Sequence, residues 1–325
     1  MGRSFKSEHE FVAWLRRSRQ VQPPGLRLGI GDDASLVAPS AGREIILTAD
    51  LSVEGVHFLR DRHPPDAVGH RALARSLSDV AAMGGRPRFA LVSLALSQRV
   101  DRPWVEKFYR GLFRLAGRFG VAVVGGDTSL AAKVVMADVT VVGEVARGRA
   151  LLRAGARPGD AIYVAGTLGL SAAGLRMLRS GSKPRAAAAL RAHLYPEPQC
   201  RLGEFLVEKR LASAAIDISD GLSLDLSRLL EASGVGGRIH EEKIPVPPVA
   251  TRGATALSLA LDGGEDYKLL FTVPPSKVSR LPASFEGVRI YQMGKVCGKE
   301  QGILIEGRKG TQQLIPGGYD HFRRK

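Results

Sequence analysis

At 325 residues the chain exceeds the usual size of one compact domain, and with 44% hydrophobic residues it has material for ordinary cores, so two domains are expected. Lys and Arg number 47 against 32 Asp and Glu, a formal charge of +15 that favours phosphorylated or polyanionic partners; the basic residues are spread out, with no continuous block or interleaved aromatic array to mark a nucleic-acid groove. Cys200 and Cys297 stand far apart and exclude a zinc ribbon or a disulfide framework, and without a signal-peptide core or a long apolar run the chain reads as soluble and cytoplasmic, away from membranes.

Ser7-Glu8-His9-Glu10 resembles a capping box, followed at helical spacing by Phe11, Val12, Trp14 and Leu15, so a short helix is expected before Pro23-Pro24-Gly25. Glu44–Ala49 reads as an apolar strand ending on Asp50, from which Val53–Phe58 leads away. Residues 64–83 predict a helix with Val68, Leu73, Leu77 and Val80 inward and Gly84-Gly85 as its stop. Asp79 lies near the C-terminal end of that helix, against the macrodipole; either a cation or Arg75 at i−4 would favour it there. A strand over 89–96, a helix over 101–119, a short strand over 121–124 and a long strand over 134–145 complete the first half.

The Gly/Arg-rich stretch 147–159 is the natural boundary. Beyond it the pattern predicts strands at 160–165, 214–218, 267–273, 289–296 and 302–305, with helices after Gly169, within 181–193, at 200–209 and at 221–232. Strands and helices alternate in both halves, so the fold class is α/β (α+β), as two α/β domains.

Chemistry concentrates in short acidic segments. Gly29-Ile30-Gly31-Asp32-Asp33-Ala34-Ser35 runs two glycines into paired carboxylates, which alone fits a solvated Asp-rich turn as well as a cation site. Similar signals recur at Thr48-Ala49-Asp50, Ser78-Asp79, Gly125-Gly126-Asp127, Asp217-Ile218-Ser219-Asp220-Gly221 and Gly263-Gly264-Glu265-Asp266, several at expected strand ends. Oxygen donors of this kind suit hard cations, Mg²⁺ above all. No G-x-x-x-x-G-K-[ST], G-x-S-x-G or H-E-x-x-H motif occurs, so a Walker cradle is excluded and acyl hydrolase and zinc protease chemistry are disfavoured.

In order along the chain, Gly29–Ala34, Thr48–Phe58, Leu77–Gly84, Gly125–Thr128, Leu151–Ala156, Ile216–Asp225, Gly263–Tyr267 and Gly318–Phe322 strongly resemble thiamine-monophosphate kinase. That family belongs to a superfamily with aminoimidazole ribonucleotide synthetase and selenophosphate synthetase. The resemblance implies ATP-dependent phosphorylation of thiamine monophosphate to thiamine diphosphate, with Mg²⁺, by a homodimer paired through its N-terminal sheets. It implies residues 1–148 as a dimerisation and ATP/Mg-binding domain and 149–325 as a substrate- and phosphate-binding domain. On the family's metal positions fall Asp33, Thr48, the Ala49 backbone, Asp50, Asp79, Asp127, Asp217 and Asp220, with Asp50, Asp127 and Asp220 as catalytic residues. Gly126, Asp127, Arg153, Ser219 and Tyr109 fall on nucleotide contacts; His57, Glu265 and Tyr319 fall on substrate contacts. Two departures stand out: Ala49 replaces a second threonine, and Ser76 replaces an asparagine. Other superfamily activities remain rivals, although the selenium enzymes generally carry an N-terminal reactive Cys and none precedes Cys200 here.

Overall fold

Two helices of the first half start where a side chain can take up a free N–H group. In the computed structural model Ser7 Oγ accepts from Glu10 N at 3.1 Å, and Asp101 Oδ1 accepts from Trp104 N at 3.0 Å. The structure describes residues 5, 7–18, 20–31, 34–180, 187–247, 249, 253–308 and 310–319. They fall into two units, Met1–Val80 with Gly85–Gly148, and Ala81–Gly84 with Arg149–Lys325.

The first unit runs α1 (Glu8–Arg17), β1 (Leu26–Leu28), β2 (Leu36–Val37), β3 (Arg43–Val53), α2 (Pro65–Ala82), β4 (Arg86–Ser97), α3 (Arg102–Phe119), β5 (Ala122–Ala131) and β6 (Met136–Ala146). Strands β3-β6-β4-β5 form a four-stranded sheet in that order. Only β4 and β5 run parallel. Alternation along the strands buries Ile46, Val92, Leu94, Val139 and Val141 on one face. On the other face, Ile45, Leu47, Leu51 and Leu91 are 44%, 71%, 47% and 37% exposed. Helices α2 and α3 approach so closely that a Cβ on Gly69 would lie 1.9 Å from the Phe108 carbonyl oxygen, and one on Gly111 would lie 1.8 Å from that of Asp66.

The sequence pattern ends strands at Asp50 and at Val124, whereas both strands continue. β3 stays paired to β6 as far as Val53, and β5 to β4 as far as Ala131. Thr48-Ala49-Asp50 and Gly125-Gly126-Asp127 therefore lie inside paired strands rather than on loops. The glycines that read as a turn serve close packing instead: at Gly126, with φ of +145°, a Cβ would fall 1.9 Å from the Val92 carbonyl oxygen.

The second unit contains β7 (Ala161–Ala165), α4 (Leu170–Ser180), α5 (Ala187–Leu194), α6 (Cys200–Glu208), β8 (Ala214–Ile218), α7 (Leu222–Ser233), β9 (Gly236–His240), α8 (Ala256–Asp262), β10 (Lys268–Val273), β11 (Ser284–Phe285), β12 (Val288–Cys297), β13 (Ile303–Gly307) and β14 (Gly310–Gln313). Its sheet has the order β14-β13-β9-β12-β7-β10-β8, with β11 beside β12. Ile162, Val164, Ile216 and Ile218 of the sheet pack with Leu222, Leu226, Leu229 and Leu230 of α7. Strand β9 escapes the sequence pattern because Gly236-Gly237 looks like a turn. A Cβ on Gly236 would meet two carbonyl oxygens at 2.5 Å, so the glycines permit close strand packing. Among the described residues no helix is long and apolar enough to cross a membrane.

Candidate functional site

In the first unit, Thr48 and Asp50 sit two residues apart on β3 and so share one face of the sheet. Opposite them α2 presents Arg75 and Asp79, one helical turn apart. The four groups pair crosswise. Thr48 Oγ1 donates to Asp79 Oδ2 at 2.5 Å, and the Arg75 guanidinium lies 3.3 Å from Asp50 Oδ1. Arg75 thus meets Asp50 across the fold, a partner that the i−4 spacing to Asp79 does not reveal.

Both departures are explained by this geometry. The Ala49 methyl points to the opposite face from Thr48 and Asp50, so the missing hydroxyl leaves their cluster intact. Ser76 Oγ donates to the Val139 carbonyl at 2.7 Å, a buried bond that ties α2 to β6.

Asp127 does not join this cluster within one sheet. It is exposed on β5, its Oδ1 accepting from Thr128 N at 2.8 Å. Strands β3 and β5 are opposite edges. The register aligns Asp50 with Val139 and Val92 but Asp127 with Ser93, so the two carboxylates also face opposite sides. Three strand spacings of about 4.8 Å separate the edges, roughly 14 Å. Asp33 lies outside the described residues; Ser35, two positions on, donates to the Val124 carbonyl beside Gly125-Gly126-Asp127. His57 Nδ1 accepts from Val53 N at 3.0 Å. Tyr109, expected on the nucleotide, is instead 1% exposed and packs among Phe11, Trp14, Phe108 and Phe113. Burial pushes its phenol pKa up.

In the second unit β8 carries Asp217, 5% exposed, and then turns through Ser219-Asp220-Gly221 into α7. One oxygen of buried Asp225 accepts the backbone N–H groups of Ser219, Asp220 and Gly221 at 3.0, 2.9 and 3.2 Å. Arg228 Nη1 bridges Asp220 and Asp225 at 2.5 and 2.8 Å. Burial pushes the Asp225 carboxyl up to about 6, against the opposing pull of the N–H donors and Arg228.

The expected substrate contacts hang from the same turn. Glu265 N donates to the Ser219 carbonyl at 2.7 Å, Tyr267 N to that of Ile218 at 2.8 Å, and Tyr319 N to that of Asp220 at 3.2 Å. Glu265 and Tyr267 hold φ of +59° and +50°, a region costly for side-chain-bearing residues and over-represented at functional sites. Between them Asp266 anchors the loop, accepting from Gly169 N at 2.6 Å and Ser171 N at 3.2 Å at the start of α4. The Glu265 carboxylate stands 3.6 Å from His193 Nδ1. Arg153 is exposed, its carbonyl accepting from Ser233 Oγ at 2.9 Å. Asp320 to Phe322 of the terminal motif lie outside the described residues.

The sequence pattern assigns no role to Asp225 and Asp266, which organise the turns, or to Arg228, which pairs with Asp220. Their signals were the position of Asp225 within Asp220-Gly221-Leu222-Ser223-Leu224-Asp225 and the adjacency of Asp266 to Glu265.

The chain is thus a mixed α/β protein of two units, each with acidic segments. The sequence profiles of the AIR synthase related proteins match it, the N-terminal domain at residues 31–145 and the C-terminal domain at 157–306. Within that class, the chain is 39% identical to the thiamine-monophosphate kinase of Salmonella typhimurium over 308 residues, covering 90% of this chain and 91% of the relative. It is 34% identical to that of Bacillus subtilis over 315 residues, covering 94% and 96%. The crystal structure of the enzyme from Stenotrophomonas maltophilia superposes with a TM-score of 0.81 at 32% identity, covering 97% of this chain and 99% of that one. AaThiL, solved with AMPPCP and TMP, gives 0.78 at 32%, with 97% of both chains covered. The chain belongs to the thiamine-monophosphate kinase family. A hydrogenase maturation protein, HypE, shares the fold alone, at 22% identity and a TM-score of 0.79.

Replacing Asp225 by Ala removes the acceptor for three N–H groups of the acidic turn. Each donor left buried and unsatisfied costs about 1–3 kcal/mol. Urea denaturation is expected to show a clear fall in stability, and an unchanged midpoint would remove Asp225 as the organiser of that turn.

Proposed function

We propose that this protein transfers the γ-phosphoryl group of ATP to thiamine monophosphate, giving thiamine diphosphate and ADP. The observation that carries the reading is family membership over nearly the whole chain. The acceptor is a phosphate monoester whose second pKa is ~6, so near neutral pH it is largely a dianion. Its oxygen attacks the γ-phosphorus, the bond from that phosphorus to the β,γ-bridging oxygen breaks, and ADP leaves with the electron pair. No general base is required, which suits a set of carboxylates. Direct in-line transfer follows more simply than a phosphoenzyme.

The donor set fits Mg²⁺ in kind: hydroxyl and carboxylate oxygens only, in Thr48, Asp50 and Asp79 of the first unit and Asp217 and Asp220 of the second. Among the described residues no group of three acidic, His or Cys side chains already stands in ligating geometry, and Asp50 and Asp220 carry guanidinium partners. In this reading Asp33, Asp127 and the Ala49 backbone complete the metal positions. Bound there, Mg²⁺ would neutralise the phosphates that must approach one another. Gly126, Asp127, Arg153 and Ser219 take the nucleotide, the Arg153 guanidinium supplying a fixed positive charge. His57, Glu265 and Tyr319 take the acceptor, and the half-exposed Tyr319 ring is suited to packing on a flat heterocycle. We place the reaction in the cytoplasm, where ATP is available.

The same reading includes a homodimer. The open face of the first sheet exposes Ile45, Leu47, Leu51 and Leu91 together, an apolar patch that a second copy would cover. Asp127 lies on that face, so the pairing would bring it to the junction between copies.

With Mg-ATP, thiamine monophosphate should be converted to thiamine diphosphate, whereas free thiamine, an alcohol that needs a positioned base, should react at least ~10²-fold more slowly. Efficient phosphorylation of thiamine in a product assay would overturn the proposed chemistry. Sedimentation should give a dimer at micromolar concentration and a shift toward monomer for Leu47→Arg; a wild-type monomer would contradict the sheet pairing.

A further inference from the structure

Two bulges interrupt the first sheet, and one segment of chain meets both. On β4, Pro87 faces Gly143 of β6 and Phe89 faces Val142, so Arg88 is an extra residue. On β5, Val123 faces Ala90 of β4 and Gly125 faces Leu91, so Val124 is extra. Arg88, 7% exposed, places Nη1 2.7 Å from Glu144 Oε2 and 3.1 Å from Ser40 Oγ, and donates from Nη2 to the Pro24 carbonyl. Glu144 Oε1 accepts from Ser40 N at 2.9 Å. One buried ion pair thereby grips both ends of the segment 24–40. Within it β1 and β2 pair as a short hairpin, and Ala38 N donates to the Gly25 carbonyl at 2.8 Å. From the same segment Ser35 Oγ donates to the carbonyl of Val124, the extra residue of β5.

The bulge at Val124 decides which face of the sheet carries Asp127. With it, Asp127 aligns with exposed Ser93 on the open face. Side chains alternate along a strand, so without the extra residue Asp127 would align with Leu94, which is 2% exposed on the apolar face. A carboxylate there would be buried without a partner, at high cost. We infer that Ser35 is a positioning residue for the nucleotide end of the reaction: its hydroxyl holds the bulge that keeps Asp127 on the open face, and the Arg88–Glu144 pair holds Ser35 in place. Bulges serve elsewhere to re-aim a side chain beside an active site, and here the bulged carbonyl is what Ser35 takes up. The inference rests on the reading of Gly126 and Asp127 as nucleotide positions and extends it to three residues that act through the backbone of β5.

The test is calorimetric binding of Mg-AMPPCP and, separately, of thiamine monophosphate to the full-length protein, with a thermal midpoint to show that each variant is folded. Ser35→Ala should weaken Mg-AMPPCP about fivefold, the usual contribution of one neutral hydrogen bond, and leave thiamine monophosphate within about twofold. Arg88→Met should weaken Mg-AMPPCP by about tenfold or more, because it breaks hydrogen bonds to a charged group, with Arg88→Lys between. Since both residues act through one hairpin, the double variant should lose less than the product of the single losses. The inference is overturned by a folded Ser35→Ala that binds Mg-AMPPCP as the wild type does, by equal loss of both ligands, or by losses that multiply in the double variant. Should Arg88→Met not fold, Ser35→Ala decides alone. A wild type that binds Mg-AMPPCP but forms no thiamine diphosphate, with Ser35→Ala weakened, loses the reaction and keeps the positioning. One that forms thiamine diphosphate while Ser35→Ala binds the nucleotide unimpaired keeps the reaction and loses the positioning.

Discussion

The packing of β3 against α2 sets a hydroxyl and a carboxylate, Thr48 and Asp50, opposite a carboxylate and a guanidinium, Asp79 and Arg75. Two carboxylates on facing elements repel unless a positive charge stands between or beside them, and here Arg75 supplies it. The second unit repeats the device with different parts, since Arg228 covers both Asp220 and Asp225. In each unit an acidic position is therefore neutralised before any ligand arrives. On the proposed function, a divalent cation held by Asp50 or Asp220 would compete with Arg75 or Arg228 for the carboxylate. Folding and phosphate chemistry draw on the same charges.

Rigid backbone supports these charges. The turn that carries Ser219 and Asp220 is held from within by Asp225, and it holds Glu265 and Tyr319 through its own carbonyl groups. A shift of that turn would move expected nucleotide and substrate contacts together. The left-handed conformations at Glu265 and Tyr267 persist because Asp266 is locked to two amides of the Gly169–Ser171 segment. In the first unit the strand order separates Asp50 from Asp127, which gives the proposed pairing of two sheets a part in assembling the site as well as in covering Leu47 and Leu91.

Much of this was legible in the sequence, and the limits have physical causes. Helices α2 and α3 announced themselves by apolar stripes, and α2 also by its glycine stop, because those signals are local. The extents of β3 and β5 did not, since Gly125-Gly126 and Thr48-Ala49-Asp50 look like strand ends and only pairing with β4 and β6 keeps them extended. Any one acidic motif alone fits a solvated turn, and it is their recurrence in order along the chain that pointed to the candidate residues. The meeting of Arg75 with Asp50 was not readable, because it is made across the fold and not along the helix. The burial of Tyr109 was likewise hidden, because it depends on Phe11 and Trp14 of a distant helix closing over it.

The most direct test of this competition between arginine and metal is Mn²⁺ binding followed by electron paramagnetic resonance, with Arg75→Gln compared against the wild type. Removing the guanidinium from Asp50 should tighten Mn²⁺ binding by roughly tenfold, equivalent to about 1.4 kcal/mol, and Asp50→Asn should abolish the gain. An Arg75→Gln protein that binds Mn²⁺ no more tightly than the wild type would contradict the claim that Arg75 holds the place of a cation at Asp50.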